Sequence, residues 1–285
     1  MNTILSKPLV QDLKKITADA VARLADRHLA VHMAVIQVGG NPDSLRYIGY
    51  KAKAAKETGI IFSEYLMEDN VTKARVEETI RFLNDDPEVQ GIFIQLPLPD
   101  GFSSADEREL LASIDPYKDA DGLTEKWKSL SYTDIRMTSL LAPRPYALPP
   151  MVLAVASLLD YYQLDVKDKK VVIVGDGRLT GAPLYDFFAK LKVDVELVTE
   201  ETENALKKTQ RADILVTDIG QKDMITYQWV KEGVVVIDCA EDVHTDSVSQ
   251  VASALAPSKG GVGPLTVQWL LYNVVQSTLN MEGGV

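Results

Sequence analysis

Short apolar runs rich in β-branched residues recur along this chain, and each is separated from the next by a stretch of helical length and amphipathic pattern. That alternation constrains the fold to mostly parallel sheets, because strands joined through helices run the same way. Residues 34–38 read as a strand that ends at Gly39-Gly40, residues 43–58 as a helix and residues 60–66 as the next strand. Ahead of them Leu13, Ile16, Ala20 and Leu24 recur every three or four positions and mark a helix over residues 9–29. A further helix over 71–84 leads into Gly91-Ile-Phe-Ile-Gln95, which Pro97 and Pro99 terminate. From residue 115 to 150 the periodicity fades, and Pro143, Pro145, Pro149 and Pro150 mark an irregular connection.

A second α/β series follows. Helix resumes at Met151, Lys170-Val-Val-Ile-Val-Gly175 reads as a strand, a helix runs to about Leu191, and strands are expected near 195–198, 214–217 and 234–237. An apolar helix over 265–279 closes the chain after a glycine-rich turn. The 285 residues suffice for two domains with separate cores. The expected class is thus two-domain α/β, with residues 1–148 in one domain and 149–264 in a Rossmann-like domain with a parallel sheet.

Charge and composition exclude several functions. With 30 Lys+Arg against 41 Asp+Glu the net charge is −11, which opposes nonspecific binding to nucleic acid or anionic lipid. No apolar run has the ~18 residues of a membrane span. Residues 1–28 mix charges through an amphipathic pattern and lack the apolar block of a signal peptide, so a cytoplasmic location is expected. One cysteine, Cys239, offers neither an internal disulfide nor a multi-cysteine zinc site, and no metal is expected. His28, His32 and His244 are scattered, and no Gly-x-Ser-x-Gly or Walker lysine is present.

Two local patterns can carry chemistry. Gly175-Asp-Gly177-Arg-Leu-Thr-Gly181 lies directly after an apolar strand and before a helix, where glycines let a dinucleotide pyrophosphate approach free amides at the helix N-terminus. The spacing departs from the usual fingerprint and also describes an ordinary strand-to-helix turn. In the first domain Tyr47 and Lys51 lie four apart and project from one helix face.

Four blocks in order, spread over the whole length, resemble the bifunctional methylenetetrahydrofolate dehydrogenase/methenyltetrahydrofolate cyclohydrolase family. They are the segment from Val38 through Ser44, Tyr47 and Lys51 to Ile60, then Gln95-Leu-Pro-Leu-Pro99, Lys118-Asp-Ala-Asp-Gly122, and Gly260-Gly-Val-Gly-Pro264-Leu-Thr266. The resemblance implies Lys51 as general acid/base, Gln95 as its hydrogen-bonding partner, Asp121 as the carboxylate that grips the pterin, and Tyr47 stacked on the folate's aromatic linker. It adds Ser44, Leu96, Gly260, Gly263 and Pro264 to the folate contacts, and Gly175, Asp176, Gly177, Arg178, Thr199, Glu200, Cys239 and Thr266 to the cofactor contacts. It further implies a homodimer, and a C-terminal helix, 265–285, that returns to the first domain.

Departures from the family concentrate in the second domain. Gly175-Asp176-Gly177 stands where Gly-Arg-Ser is usual, and Thr199-Glu200-Glu201-Thr202 where a basic and hydroxyl-rich sequence meets the NADP 2′-phosphate. Acidic side chains repel that phosphate, and Glu200 lies 25 residues after Gly175, close to the place of a ribose-binding carboxylate. NAD is therefore expected over NADP. The alternative expectation is a folate-binding cyclohydrolase, or a non-catalytic regulatory homologue, with an impaired dinucleotide site.

Overall fold

Residues 1–283 are described by the computed structural model of the chain. Its elements, in order, are β1 (Asn2–Thr3), α1 (Lys7–Ala25), β2 (His32–Val38), α2 (Pro42–Thr58), β3 (Ile61–Met67), α3 (Lys73–Asp85), β4 (Gly91–Ile94) and α4 (Ser104–Ala112). A short α5 (Met137–Leu140) precedes α6 (Pro150–Tyr161), β5 (Lys170–Val174), α7 (Gly181–Lys190), β6 (Asp194–Val198), α8 (Ala205–Thr209), β7 (Ile214–Thr217), β8 (Val235–Asp238), α9 (Thr245–Val248), β9 (Ala254–Ala256) and α10 (Gly263–Gly283). Every strand pairing is parallel, as the alternation requires.

One compact unit comprises residues 12–127, 143–148 and the chain from 267 on. Its sheet runs β3-β2-β4. The chain leaves β2 for one neighbour and later returns to the other, so β2 borders a topological switch point, where the carboxyl ends of strands leave a crevice. Asn41 caps the helix that follows β2: its side chain accepts from Asp43 N and Ser44 N, and Pro42 supplies the pre-set first turn. This fixes the start of α2 and therefore the face on which Tyr47 and Lys51 project.

The other unit comprises residues 1–11, 128–142 and 149–266, with the sheet order β1-β9-β8-β7-β5-β6. Its central strands β7 and β8 are buried along their whole length, the signature of a parallel sheet covered on both faces. The switch point lies between β5 and β7. The division differs from the expected one in residues 1–11, 128–142 and 265–266. Asn2 N and Ile4 N donate to Ser253 O and Leu255 O, both at 2.8 Å, which adds β1 to the sheet. Residues 128–142 are held by a Lys128–Asp186 ion pair at 2.7 Å, a Tyr132–Phe187 ring contact, and Met137 N donating to Asp160 at 2.8 Å.

The last helix belongs to the core of the first unit from residue 267 onward. Leu270, Leu271, Val274 and Val275 pack with Val35 and Phe93, and a Cβ on Gly91 would lie 2.5 Å from a Val274 methyl, so β4 and α10 meet at closest approach. Asn273, fully buried, fastens the helix: Nδ2 donates to Ala120 O and Leu148 O, both at 2.9 Å, and Oδ1 accepts from Arg144 Nη2 at 3.1 Å. Asn273→Leu leaves two buried carbonyls and a guanidinium without this partner, so we expect urea denaturation to show a loss of about 3 kcal/mol. A loss within about 0.5 kcal/mol, ordinary for a surface substitution, would show that the fastening is dispensable.

Candidate active site

Lys51 sits at mid-helix on α2 with its ammonium over the ring of Phe93, 4.1 Å from the centroid. Nζ donates to Gln95 Oε1 at 3.1 Å, and Gln95 Nε2 donates to Leu96 O at 2.7 Å, so the amide is held with its oxygen toward the lysine. Phe93 and Gln95 are two residues apart at the end of β4 and therefore share a face. Burial lowers the Lys51 pKa, opposed by the charge of Asp121. Burial likewise raises the Asp121 pKa, opposed by Lys51. The two groups are drawn toward each other in proton affinity, which eases proton movement at this site.

Three contacts position Asp121. Ile92 N donates to Lys118 O at 2.7 Å and Ala120 N to Ile92 O at 3.0 Å, so the segment runs beside β4 as an extra bridge. Lys118 Nζ donates to Leu83 O, Asn84 O and Asp86 O at 3.0, 2.7 and 2.6 Å, satisfying carbonyls at the end of α3. Asn273 holds Ala120 O from the other side. Between these lies Asp119, whose Oδ2 accepts from Thr124 N at 2.7 Å while Oδ1 is buried with no hydrogen-bond partner among the described residues. Its carboxyl is pushed up to about 6, chiefly by burial, with Thr124 opposing and Asp121 adding to the rise.

Of the other expected folate residues, Ser44 is buried in the first turn of α2, Leu96 is half-buried beside Gln95, and Tyr47 is 58% exposed one turn before Lys51. Gly260, Gly263 and Pro264 belong to the other unit. There Gly260 O accepts from both Ser6 N and Ser6 Oγ, and Gly263 O accepts from Thr266 Oγ1 at 2.7 Å.

The second switch point carries the glycine motif. Gly175 has φ +102°, a conformation L side chains rarely adopt, and a Cβ there would collide with the carbonyl of Asp218. A Cβ on Gly181 would collide with the carbonyl of Gly175. The strand–turn–helix therefore packs as closely as the dinucleotide motif demands. Beside it a cavity of about 680 Å³ is lined by Gly175, Asp176, Gly177, Thr199 and Glu200 from the expected cofactor set, together with Glu201 and Asp218. Arg178, Cys239 and Thr266 are not among its lining residues. Burial, together with Asp218, Asp238 and Asp242, holds the Cys239 thiol well above its usual range.

One expectation is overturned. The amides at the start of α7 are not free: Gly181 N donates to Asp218 Oδ2 at 3.3 Å, Ala182 N to Gly177 O at 3.2 Å, and Pro183 has no N–H. The local glycine geometry says nothing of this, because the occupying carboxylate comes from the neighbouring strand. Asp238 and Asp242 also work on backbone. Asp238 accepts from the amides of Ala240, Asp242 and Val243, and Asp242 from those of Ile219 and Gln221. The glycine cradle and the carboxylates of Asp176, Glu200 and Glu201 suit the hydroxyl-bearing part of a nicotinamide dinucleotide, and no lysine or arginine is among the described residues lining the cavity.

Sequence reasoning missed Phe93, Asp119, Asn273 and Asp218. The two-residue period of β4 was signal enough for Phe93; the others depend on what the fold brings beside them.

A family model described as the catalytic domain of tetrahydrofolate dehydrogenase/cyclohydrolase matches residues 4–121, and one described as the NAD(P)-binding domain matches 149–282. A bifunctional protein FolD of Geotalea uraniireducens is 34% identical over 273 residues, covering 92% of this chain and 93% of the relative. The crystal structure of a bifunctional FolD from Campylobacter jejuni superposes with a TM-score of 0.87 at 31% identity, over 99% of each chain. A Trypanosoma brucei FolD structure, complexed with NADP cofactor and inhibitor, gives 0.87 at 26% identity over 98% of each.

Proposed function

The chain belongs to the tetrahydrofolate dehydrogenase/cyclohydrolase family, and from that premise we propose which of its residues carry the two reactions. It is an enzyme of one-carbon chemistry that oxidises 5,10-methylene-tetrahydrofolate with NAD(P) and hydrolyses the methenyl product to 10-formyl-tetrahydrofolate. The observation that carries the assignment of residues is the half-buried Lys51 ammonium, bonded to Gln95 and facing the field of Asp121.

In this reading the neutral Lys51 amine takes a proton from the water that adds to the methenyl carbon. It returns that proton to N5 as the C–N5 bond breaks, and the remaining hydroxyl proton leaves as the formyl carbonyl forms. Gln95 orients the amine, Asp121 accepts from the donor-rich edge of the pterin, and Tyr47 stacks on the aromatic linker. A bound nicotinamide cofactor supplies the hydride acceptor for the oxidation. Asp176, Glu200 and Glu201 disfavour a 2′-phosphate by like charge, and Glu200 suits a ribose hydroxyl, which supports NAD over NADP. No helix among the described residues is long and apolar enough to cross a membrane. We place the enzyme in the cytoplasm as a homodimer. The outer edge of β3, with Ile61 and Leu66 about half exposed at 49% and 61%, fits a second copy.

Lys51→Met is expected to bring hydrolysis of added methenyl-folate to the spontaneous rate, a fall of about a hundredfold or more. The wild-type rate is expected to decline as acid protonates the amine through its lowered pKa; a Lys51→Met rate still above the spontaneous one removes the assignment. For the oxidation, kcat/KM should be higher with NAD than with NADP, and Glu200→Gln should narrow the gap. The reverse order in the same preparation overturns the NAD preference. Sedimentation should give twice the chain mass of 31.4 kDa, and a monomer at all concentrations tested refutes the dimer.

A further inference from the structure

The N-terminus of a helix after the first strand of a dinucleotide fold favours one anion, because its leading amides and the helix dipole converge there. In this chain an anion is already in place. Asp218, the first residue after β7, turns its carboxylate onto α7, where Oδ2 accepts from Gly181 N at 3.3 Å. A Cβ on Gly177 would lie 2.5 Å from the same oxygen, so the carboxylate occupies the space above the glycine turn. The Thr180 hydroxyl bonds to it as well. The remaining first-turn positions offer nothing further, since Ala182 N is taken by Gly177 O and Pro183 has no N–H.

We propose that Asp218 is a specificity-determining residue for the cofactor: an internal anion at the start of α7 that the pyrophosphate of a nicotinamide dinucleotide must displace. The proposal rests on reading this unit as the NAD(P) site. Two anions cannot share that position without repulsion, and the surroundings do not relieve it. Asp176 faces Asp218 from the turn after β5, Asp242 and the Cys239 thiol face it from the loop after β8, and the described cavity lining holds no cation. Burial, with Asp242 and Asp176 adding and the Gly181 and Thr180 bonds opposing, raises the acid's pKa. The sign of the pH effect follows. As pH falls toward that raised value Asp218 gains a proton, the site loses its internal charge, and the dinucleotide binds more tightly.

The test is equilibrium titration of the full chain with NAD alone, following the fluorescence of Trp229, which lines the same cavity, with calorimetry in parallel. Asp218→Asn keeps the shape and an acceptor for Gly181 N, whereas Asp218→Ala also vacates the space. Both are expected to lower the Kd for NAD by about tenfold or more, as removal of a close like charge requires. The wild-type Kd should rise as pH climbs through the raised pKa of Asp218, and this dependence should be absent in Asp218→Asn. Tightening in Asp218→Ala alone also supports the proposal, with occupancy dominating over charge. Unchanged or weaker binding in both variants, including no binding by any of the three proteins, overturns it. Hydrolysis of methenyl-folate by the wild type without cofactor reports the other unit. Its absence from the wild type would count against the folate reading, while the NAD titration still decides the role of Asp218.

Discussion

A partly desolvated ammonium is the constraint on which the first unit depends. Drawing such a charge part-way out of solvent is unfavourable unless neighbouring groups compensate. The compensation for Lys51 comes from the face of Phe93, the carbonyl oxygen of Gln95 and the field of Asp121. None of these is local to α2. Phe93 and Gln95 require β4 to end in register with β2, and Asp121 requires the segment from Lys118 to run beside β4. Asn273 on the last helix then holds the intervening carbonyl of Ala120. The basic side chain is thus a product of the whole layer, although a short helix segment displays it.

Much of this was legible in the chain. The strand at 214–217 is found where the apolar run predicts it, and the strands at 170–174 and 32–38 lie within two residues of their patterns, because buried parallel strands read as continuous β-branched runs. The four-residue spacing of Tyr47 and Lys51 translates directly into a shared helix face. What could not be read has a common physical origin. β1 has two residues and β9 three, too few for any period to register, and each exists only because the sheet already present offers an edge. Lys118 looks like part of a chemical motif, yet its ammonium is spent on the carbonyls at the end of α3. Asp119 lies in that motif with no sign in the sequence that burial would push its carboxyl up to about 6.

The second unit shows how a fold is kept while its electrostatics change. Gly175 and Gly181 meet the steric demands of a tight strand-to-helix turn, and those demands do not depend on charge. Around that turn the side chains are acidic: Asp176, Glu200, Glu201 and Asp218 line the cavity, while Asp238 and Asp242 shape the loops behind it. Steric and electrostatic requirements for a nucleotide are therefore separable, and only the first is written in the glycine spacing.

Both units are closed by segments remote in sequence. The first is sealed by α10, whose Asn273 bonds to carbonyls about 125 to 153 positions earlier, and the second is bordered by β1, paired with β9 some 250 residues later. On the ribosome the residues of β1 must wait for some 250 more before their sheet partner exists, and the lysine-bearing layer cannot be roofed until α10 leaves the exit tunnel. Vectorial synthesis thus delivers two unfinished halves, each completed only once its remote segment has been made, which ties the assembly of the proton-transfer centre to the arrival of α10.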